Sequence, residues 1–174
     1  MEIGDGHARL VSQRLPRRVR ETARHRLDRV SAHCRRVLQV AAVLGRSFDA
    51  NDLADMLGEL PSRLLAAVEE AEATGIVVPD GDLLAFRHDL LWRAMLESMP
   101  ESVCRALHRQ AAGMLLGRGG SSIRAAAHLL RSARPGDPEA VAGLDRAVRE
   151  VLPTSPQTAA ELAARALELT APAD

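Results

Sequence analysis

The sequence predicts a mostly α-helical chain carrying one β-hairpin, and three observations point there. Apolar residues recur at helical spacing along most of the chain, in runs punctuated by Gly and Pro. A single pair of short apolar runs, 76–78 and 83–87, flanks a turn sequence, Pro79-Asp80-Gly81-Asp82. The second half consists of short amphipathic stretches rich in Ala, the texture of stacked helical pairs in which small residues let neighbours approach closely.

Taken in order, residues 1–15 lack periodicity and read as an irregular lead-in. Pro16 suits a first helical turn, and Val19, Ala23, Leu27 and Val30 follow at helical spacing. Ser31 can cap the next helix, which places Val37, Leu38, Val40, Ala41 and Leu44 towards the core before Gly45 ends it. Phe48 anchors a turn, and Asp49 or Asn51 starts a short helix through Leu53, Met56 and Leu57 to Gly58. Pro61 opens a further helix with Leu64, Leu65, Val68 and Ala71 on its inner side, closed by Gly75. The hairpin follows, and at His88-Asp89 the chain turns into a helix that breaks at Pro100. Helix, hairpin and helix in that order make residues 16–100 a winged-helix-like domain, with the hairpin as the wing.

After Pro100, the helix through Val103, Leu107, Met114 and Leu115 ends near Gly117, and Ser121 or Ser122 caps the next. Asp137-Pro138 and Ser155-Pro156 each place a capping residue before a Pro suited to the first helical position. Residues 101–174 therefore read as a helical-repeat segment of TPR-like helical hairpins, expected to be cut from a longer array. The last helix, from about Pro156 to Leu169, is expected to turn Leu162 and Leu167 towards an absent neighbour, so self-association is expected in concentrated solution.

Composition narrows the chemistry. Aromatics are 2% of the chain, leaving Phe48, Phe86 and Trp92 as the large anchors of a core built from Leu, Ala and Val. All 23 basic residues are Arg, which excludes a Walker-type phosphate lysine and a Schiff-base lysine. Net charge is zero but unevenly spread: residues 1–46 hold eleven Arg and four acids, while residues 47–100 hold three Arg and eleven acids. The basic first segment is expected to lie against the acidic second one or against an acidic partner. Cys34 and Cys104 sit inside apolar helical patterns and read as reduced, buried thiols. The N-terminus has neither the basic start nor the apolar run of a signal peptide, and no stretch approaches the length of a membrane span; the expected location is the cytoplasm.

Cys104 and His108 stand one helical turn apart, yet a metal site needs three or four ligands, and His7, His25, His33, His88 and His128 are scattered without a pairing motif. No metal is expected. Glu69 with Glu70, and Asp80 with Asp82, read as solvated charge on a helix surface and in a turn. No nucleophile elbow occurs, and the chain is read as non-enzymatic. A free-standing winged-helix DNA-binding protein is the alternative function, but Glu69, Glu70 and Glu72 on the helix before the hairpin, with Asp80 and Asp82 on the wing, would repel phosphates, so direct DNA binding by this segment is not expected.

Several segments together resemble a known family. They are Leu15-Pro16 with Arg26-Leu27, the run from Val40 to Phe48, Ala71-Glu-Ala-Thr-Gly-Ile-Val77, Phe86-Arg-His-Asp89 and Arg105-Ala-Leu-His108, then Ala126-Ala-His-Leu-Leu130, Pro135-Gly-Asp-Pro138, Ser155-Pro156 and Arg165-Ala-Leu-Glu-Leu169. In order and spacing these are similar to the region just downstream of the nucleotide-binding module in large ATP-dependent LuxR-type transcription regulators, the MalT-like signal-transduction ATPases. The resemblance implies a bacterial, non-catalytic regulatory and interaction segment that couples an upstream nucleotide-binding module to a helical-repeat sensor with protein partners. It implies ATP or ADP for a full-length regulator and no cofactor held by this chain alone. Phe86-Arg-His-Asp89 is similar to the family's Met-His-Asp motif, which makes His88 a candidate ADP-phosphate sensor. Phe86 replaces the Met, a swap that keeps an apolar plug.

Overall fold

The computed structural model describes residues 25–119 and 121–170. Residues 25–27 are helical; the rest of the helix expected from Pro16, and the 1–15 lead-in, lie outside the described residues. Helix α1 (Ala32–Leu44) is the hub of the first core, with Cys34, Val37, Leu38 and every residue from Val40 to Leu44 buried. Ser31 caps it as expected, its Oγ accepting from the Cys34 N–H at 3.1 Å. Helices α2 (Ala50–Leu57) and α3 (Pro61–Ala73) follow, and both pack on α1. Asp49 caps α2 by accepting from the N–H groups of Asn51 and Asp52, and Gly58, at φ 66°, ends it in the left-handed conformation that favours Gly. The inner stripe of α3 is Leu64, Ala67 and Ala71, while Leu65, expected inside, is 60% exposed. One residue on from Leu64 is a rotation of about 100° around a helix of 3.6 residues per turn, enough to take it off the buried face.

The sheet exceeds the expected hairpin by one strand. Strands β2 (Val77–Asp80) and β3 (Leu83–Phe86) pair antiparallel, and β1 (Ser47–Phe48) adds to the other side of β3, giving the order β1-β3-β2. Phe48 therefore does more than anchor a turn: its ring packs on Phe86 with centroids 5.8 Å apart. The hairpin turn is also tighter than expected. Only Gly81 and Asp82 lie outside the ladder, with Gly81 at φ 60° in the first central position, while Pro79 pairs with Leu84. Pro is tolerated there because β2 is an edge strand.

Helix α4 (Asp89–Glu97) returns to α1 and seals it: Met95 is fully buried, and the Trp92 indole N–H donates to the carbonyl of Ala42 at 2.8 Å. That carbonyl belongs to the last turn of α1, where no intrahelical partner exists, so Trp92 serves as a remote cap. Helix α5 (Glu101–Gly117) contributes to two apolar clusters. Ala111 closes the first core, and Ala112 opens a second formed with α6 (Ser122–Ser132), α7 (Pro138–Val151) and α8 (Pro156–Thr170). These four helices pack each on the next. Asp137 caps α7 as expected, accepting from the Ala140 N–H at 3.1 Å. Gly143 lets α7 approach its neighbours, since a Cβ there would fall 2.4 Å from a terminal methyl of Leu129 and 3.3 Å from one of Leu116. On α8, Leu167 is 72% exposed as expected, but Leu162 is buried in the second core. No helix among the described residues is long and apolar enough to cross a membrane.

Candidate functional site

His88 stands where strand β3 passes into helix α4, and the backbone is held on both sides of it. The Phe86 N–H donates to the Arg46 carbonyl at 2.8 Å, the Arg87 N–H to the Ile76 carbonyl at 2.9 Å, and the His88 carbonyl accepts from Leu91 at 2.9 Å. Phe86 is buried at 1% exposure, anchoring the junction. His88 itself has extended dihedrals, makes no side-chain capping bond to α4, and is exposed. The Arg87 guanidinium lies beside Gly75, and Asp89 pairs with Arg93 at 2.8 Å. The result is a fixed anchor carrying an exposed imidazole, free to donate a hydrogen bond outward.

The other histidines separate sharply. His7 lies outside the described residues, and His25 and His33 are exposed. His108 and His128 are buried at 4% and 7% exposure and meet Nδ1 to Nδ1 at 2.9 Å, between α5 and α6. Such a contact requires one Nδ1–H donor and one bare Nδ1 acceptor, so it is satisfied when both rings are neutral. Burial lowers the pKa of His108 to about 4, helped by His128 and Arg131. Burial likewise lowers His128 to about 4, helped by Arg131 and Arg124 and opposed by Asp52. The Cys104–His108 spacing acquires no third ligand, for no group of three metal-binding side chains occurs among the described residues. Cys104 is half-buried, and burial raises its thiol pKa. Burial, then the charge of Glu70, pushes the Cys34 thiol up to about 11.

One charge assignment changes. Glu70, read as solvated, accepts from the Ser31 N–H at 2.5 Å and the Ser31 hydroxyl at 2.7 Å, tying α3 to the start of α1. Those bonds, the backbone one first, lower its pKa. Glu69 is exposed, as are Asp80 and Asp82. Among the described residues the acidic second segment is met from downstream: Asp52 accepts from Arg124 at 2.6 Å and Arg118 at 3.4 Å, and Arg118 also pairs with Asp55. Most arginines of the basic first segment lie outside the described residues. Within the first segment, Arg35 turns to Asp28 at 3.3 Å.

The histidine pair escapes sequence reading because its members lie 20 residues apart and form no motif. A signal was present, however: His108 shares a helical face with Ala111, Ala112 and Leu115, and His128 with Ala125, Leu129 and Ser132, all buried. Polar residues at buried positions of successive helices are candidates to satisfy each other. No family model matches the chain, and comparisons with curated proteins and with solved structures likewise find no match.

Proposed function

We propose that this chain is a non-catalytic regulatory and interaction segment of a LuxR-type ATP-dependent transcription regulator, coupling a nucleotide-binding module to a helical-repeat sensor. The observation that carries the reading is His88: an exposed imidazole on a backbone clamped by Arg46, Ile76 and Leu91, at the strand-to-helix junction where the resembling motif places its phosphate sensor. The order of elements supports it. Helix, short strand, two helices and a hairpin whose second strand lies between the other two suit a winged-helix-like unit over 16–100, and helices packed each on the next suit TPR-like hairpins over 101–174. The most strongly shifted histidines face each other inside the helix stack and not a cleft, which fits a non-catalytic role.

Charge disfavours DNA reading by this unit: Glu69 and Glu72 are exposed on α3, and Asp80 and Asp82 are exposed at the tip of the hairpin. The test is ADP release from the regulator in which this segment follows its nucleotide module. His88→Ala is expected to speed ADP release more than ATP release and to raise basal transcription. Unchanged ADP release would remove the role assigned to His88.

A further inference from the structure

On the outer side of α5, next to the end of α6, lies a pocket of about 240 Å³ lined by Ser102, Arg105, Ala106, Arg109, Ser132 and Arg134. Positions 102, 105, 106 and 109 fall on one face of a helix, and residues 132 and 134 bring the end of α6 against it. Three arginines, Arg105, Arg109 and Arg134, line it, and no carboxylate belongs to the lining. Two acids stand at the edge. Asp137 accepts from Arg109 at 2.7 Å, and Glu101, whose side chain is 86% exposed, stands 4.0 Å from Arg105.

The donors are incompletely used. Arg105 Nε is buried and has no hydrogen-bond partner among the described residues, an uncommon state for a charged donor. The Ser132 hydroxyl already donates within its own helix, to the His128 carbonyl at 3.0 Å, so Ser102 is the hydroxyl left to donate. Guanidinium forks are the groups best matched to planar, bidentate contact with phosphoryl or carboxylate oxygens. At about 240 Å³ the pocket has room for a phosphoryl group. Donors arriving from α5 and from Arg134, just past the end of α6, suit an anion with three or four acceptor oxygens around a centre better than one with two in a plane.

We infer that this pocket binds a tetrahedral oxyanion, as free phosphate or the phosphoryl group of a small monoester, held by Arg105, Arg109 and Arg134 with Ser102 as a further donor. The site is independent of the nucleotide-sensing role proposed for His88.

The experiment titrates the chain with inorganic phosphate at constant ionic strength and follows the arginine Nε–H resonances by NMR. Saturable movement of the Arg105 resonance is expected. Arg105→Gln and Arg134→Gln, neither of which touches the Asp137 contact, should each weaken phosphate binding by about ten-fold or more. Either variant suffices if the other does not fold. Arg93→Gln, which removes one positive charge from α4, should leave the affinity unchanged. Glycerol phosphate in a second arm separates the sources: competition for the same resonance marks a site that takes monoesters, and its absence one that takes the free ion. A non-saturating response to phosphate, equal weakening by Arg93→Gln, or acetate binding as tightly as phosphate would overturn the inference.

Discussion

Mild acid should loosen this fold through His108 and His128 before it affects the carboxylates. Both rings have folded-state pKa values of about 4 against an ordinary value of 6.5. Between those values the unfolded chain binds more protons than the folded one, so stability falls as pH drops from 6.5 towards 4 and levels off below. At about 1.4 kcal/mol per pKa unit the gap is worth about 3 kcal/mol for one imidazole. A proton added at Nε2 of the donor ring leaves the Nδ1–Nδ1 bond in place, while one added at the acceptor ring's Nδ1 removes the bare nitrogen and breaks it, so the two titrations are coupled. The Glu70 contribution has the opposite form: its pKa is lowered from 4.5, so its stabilisation persists above that value and is lost only as pH falls through the folded pKa. A decline between pH 6.5 and 5 therefore reports the histidine pair.

The assay is urea unfolding followed by circular dichroism across that window, comparing midpoints at constant slope. Substituting both members, His108→Leu with His128→Leu, should flatten the pH dependence at little cost near neutrality, because both polar partners leave together. His128→Leu alone strands the His108 nitrogen and should cost about 1–3 kcal/mol at pH 8. A wild-type chain equally stable at pH 7 and pH 5, or a double variant with an undiminished slope, would refute the argument.

Other consequences follow from the same geometry. Trp92→Phe keeps most of the ring but leaves the Ala42 carbonyl uncapped, and should lower stability by about 1–3 kcal/mol in the same urea assay; an unchanged midpoint would show that water replaces the indole. Gly143→Ala should be close to neutral, since helix propensity gains about 1 kcal/mol while a Leu129 methyl is displaced, whereas Gly143→Leu should cost about 1–3 kcal/mol by forcing α7 off its neighbours; equal thermal midpoints for the two would contradict the close approach. Asp52→Asn should lose about 1–3 kcal/mol, because the carboxylate is 8% exposed and receives two arginines; no loss at low salt would make the pairs incidental. Removing α8 by ending the chain at Pro153 should change the mass measured by light scattering at high concentration if exposed Leu167 drives self-association; monomeric masses for both forms at every concentration would dismiss it.

Much of the helical punctuation was legible because it rests on local chemistry. Ser31, Asp49, Pro61, Asp137 and Pro138 act within four residues of themselves, and each starts a helix where its side chain or ring is suited to do so. Strand β1 was not legible, since two residues carry no alternation and Ser47-Phe48 becomes a strand only because β3 offers it an open edge. Leu65 and Leu162 were misplaced for a related reason: periodicity gives an apolar stripe its spacing, while the neighbours decide which edge of the stripe is covered. For His88 the junction was legible and its exposure was not. Strand alternation alone would put positions 86 and 88 on one face, yet Phe86 is buried while Arg87 and His88 are both exposed, because the chain leaves the sheet after Phe86.

The polar contacts between distant elements share a logic that no local pattern carries. Helix ends left open by their own sequences are closed from afar: Glu70 takes the first N–H at Ser31, Trp92 takes the Ala42 carbonyl, Gln110 takes the Met56 carbonyl at 2.7 Å, and Glu150 takes the Ser122 N–H at 2.9 Å. The Gln110 bond and the Asp52 pairs with Arg118 and Arg124 all run from α2 to the helices after Pro100. Both apolar clusters share α5, so moving α2 relative to α5 and α6 would uncap one helix and expose a carboxylate held by two arginines. Bending at this joint would have to break those contacts.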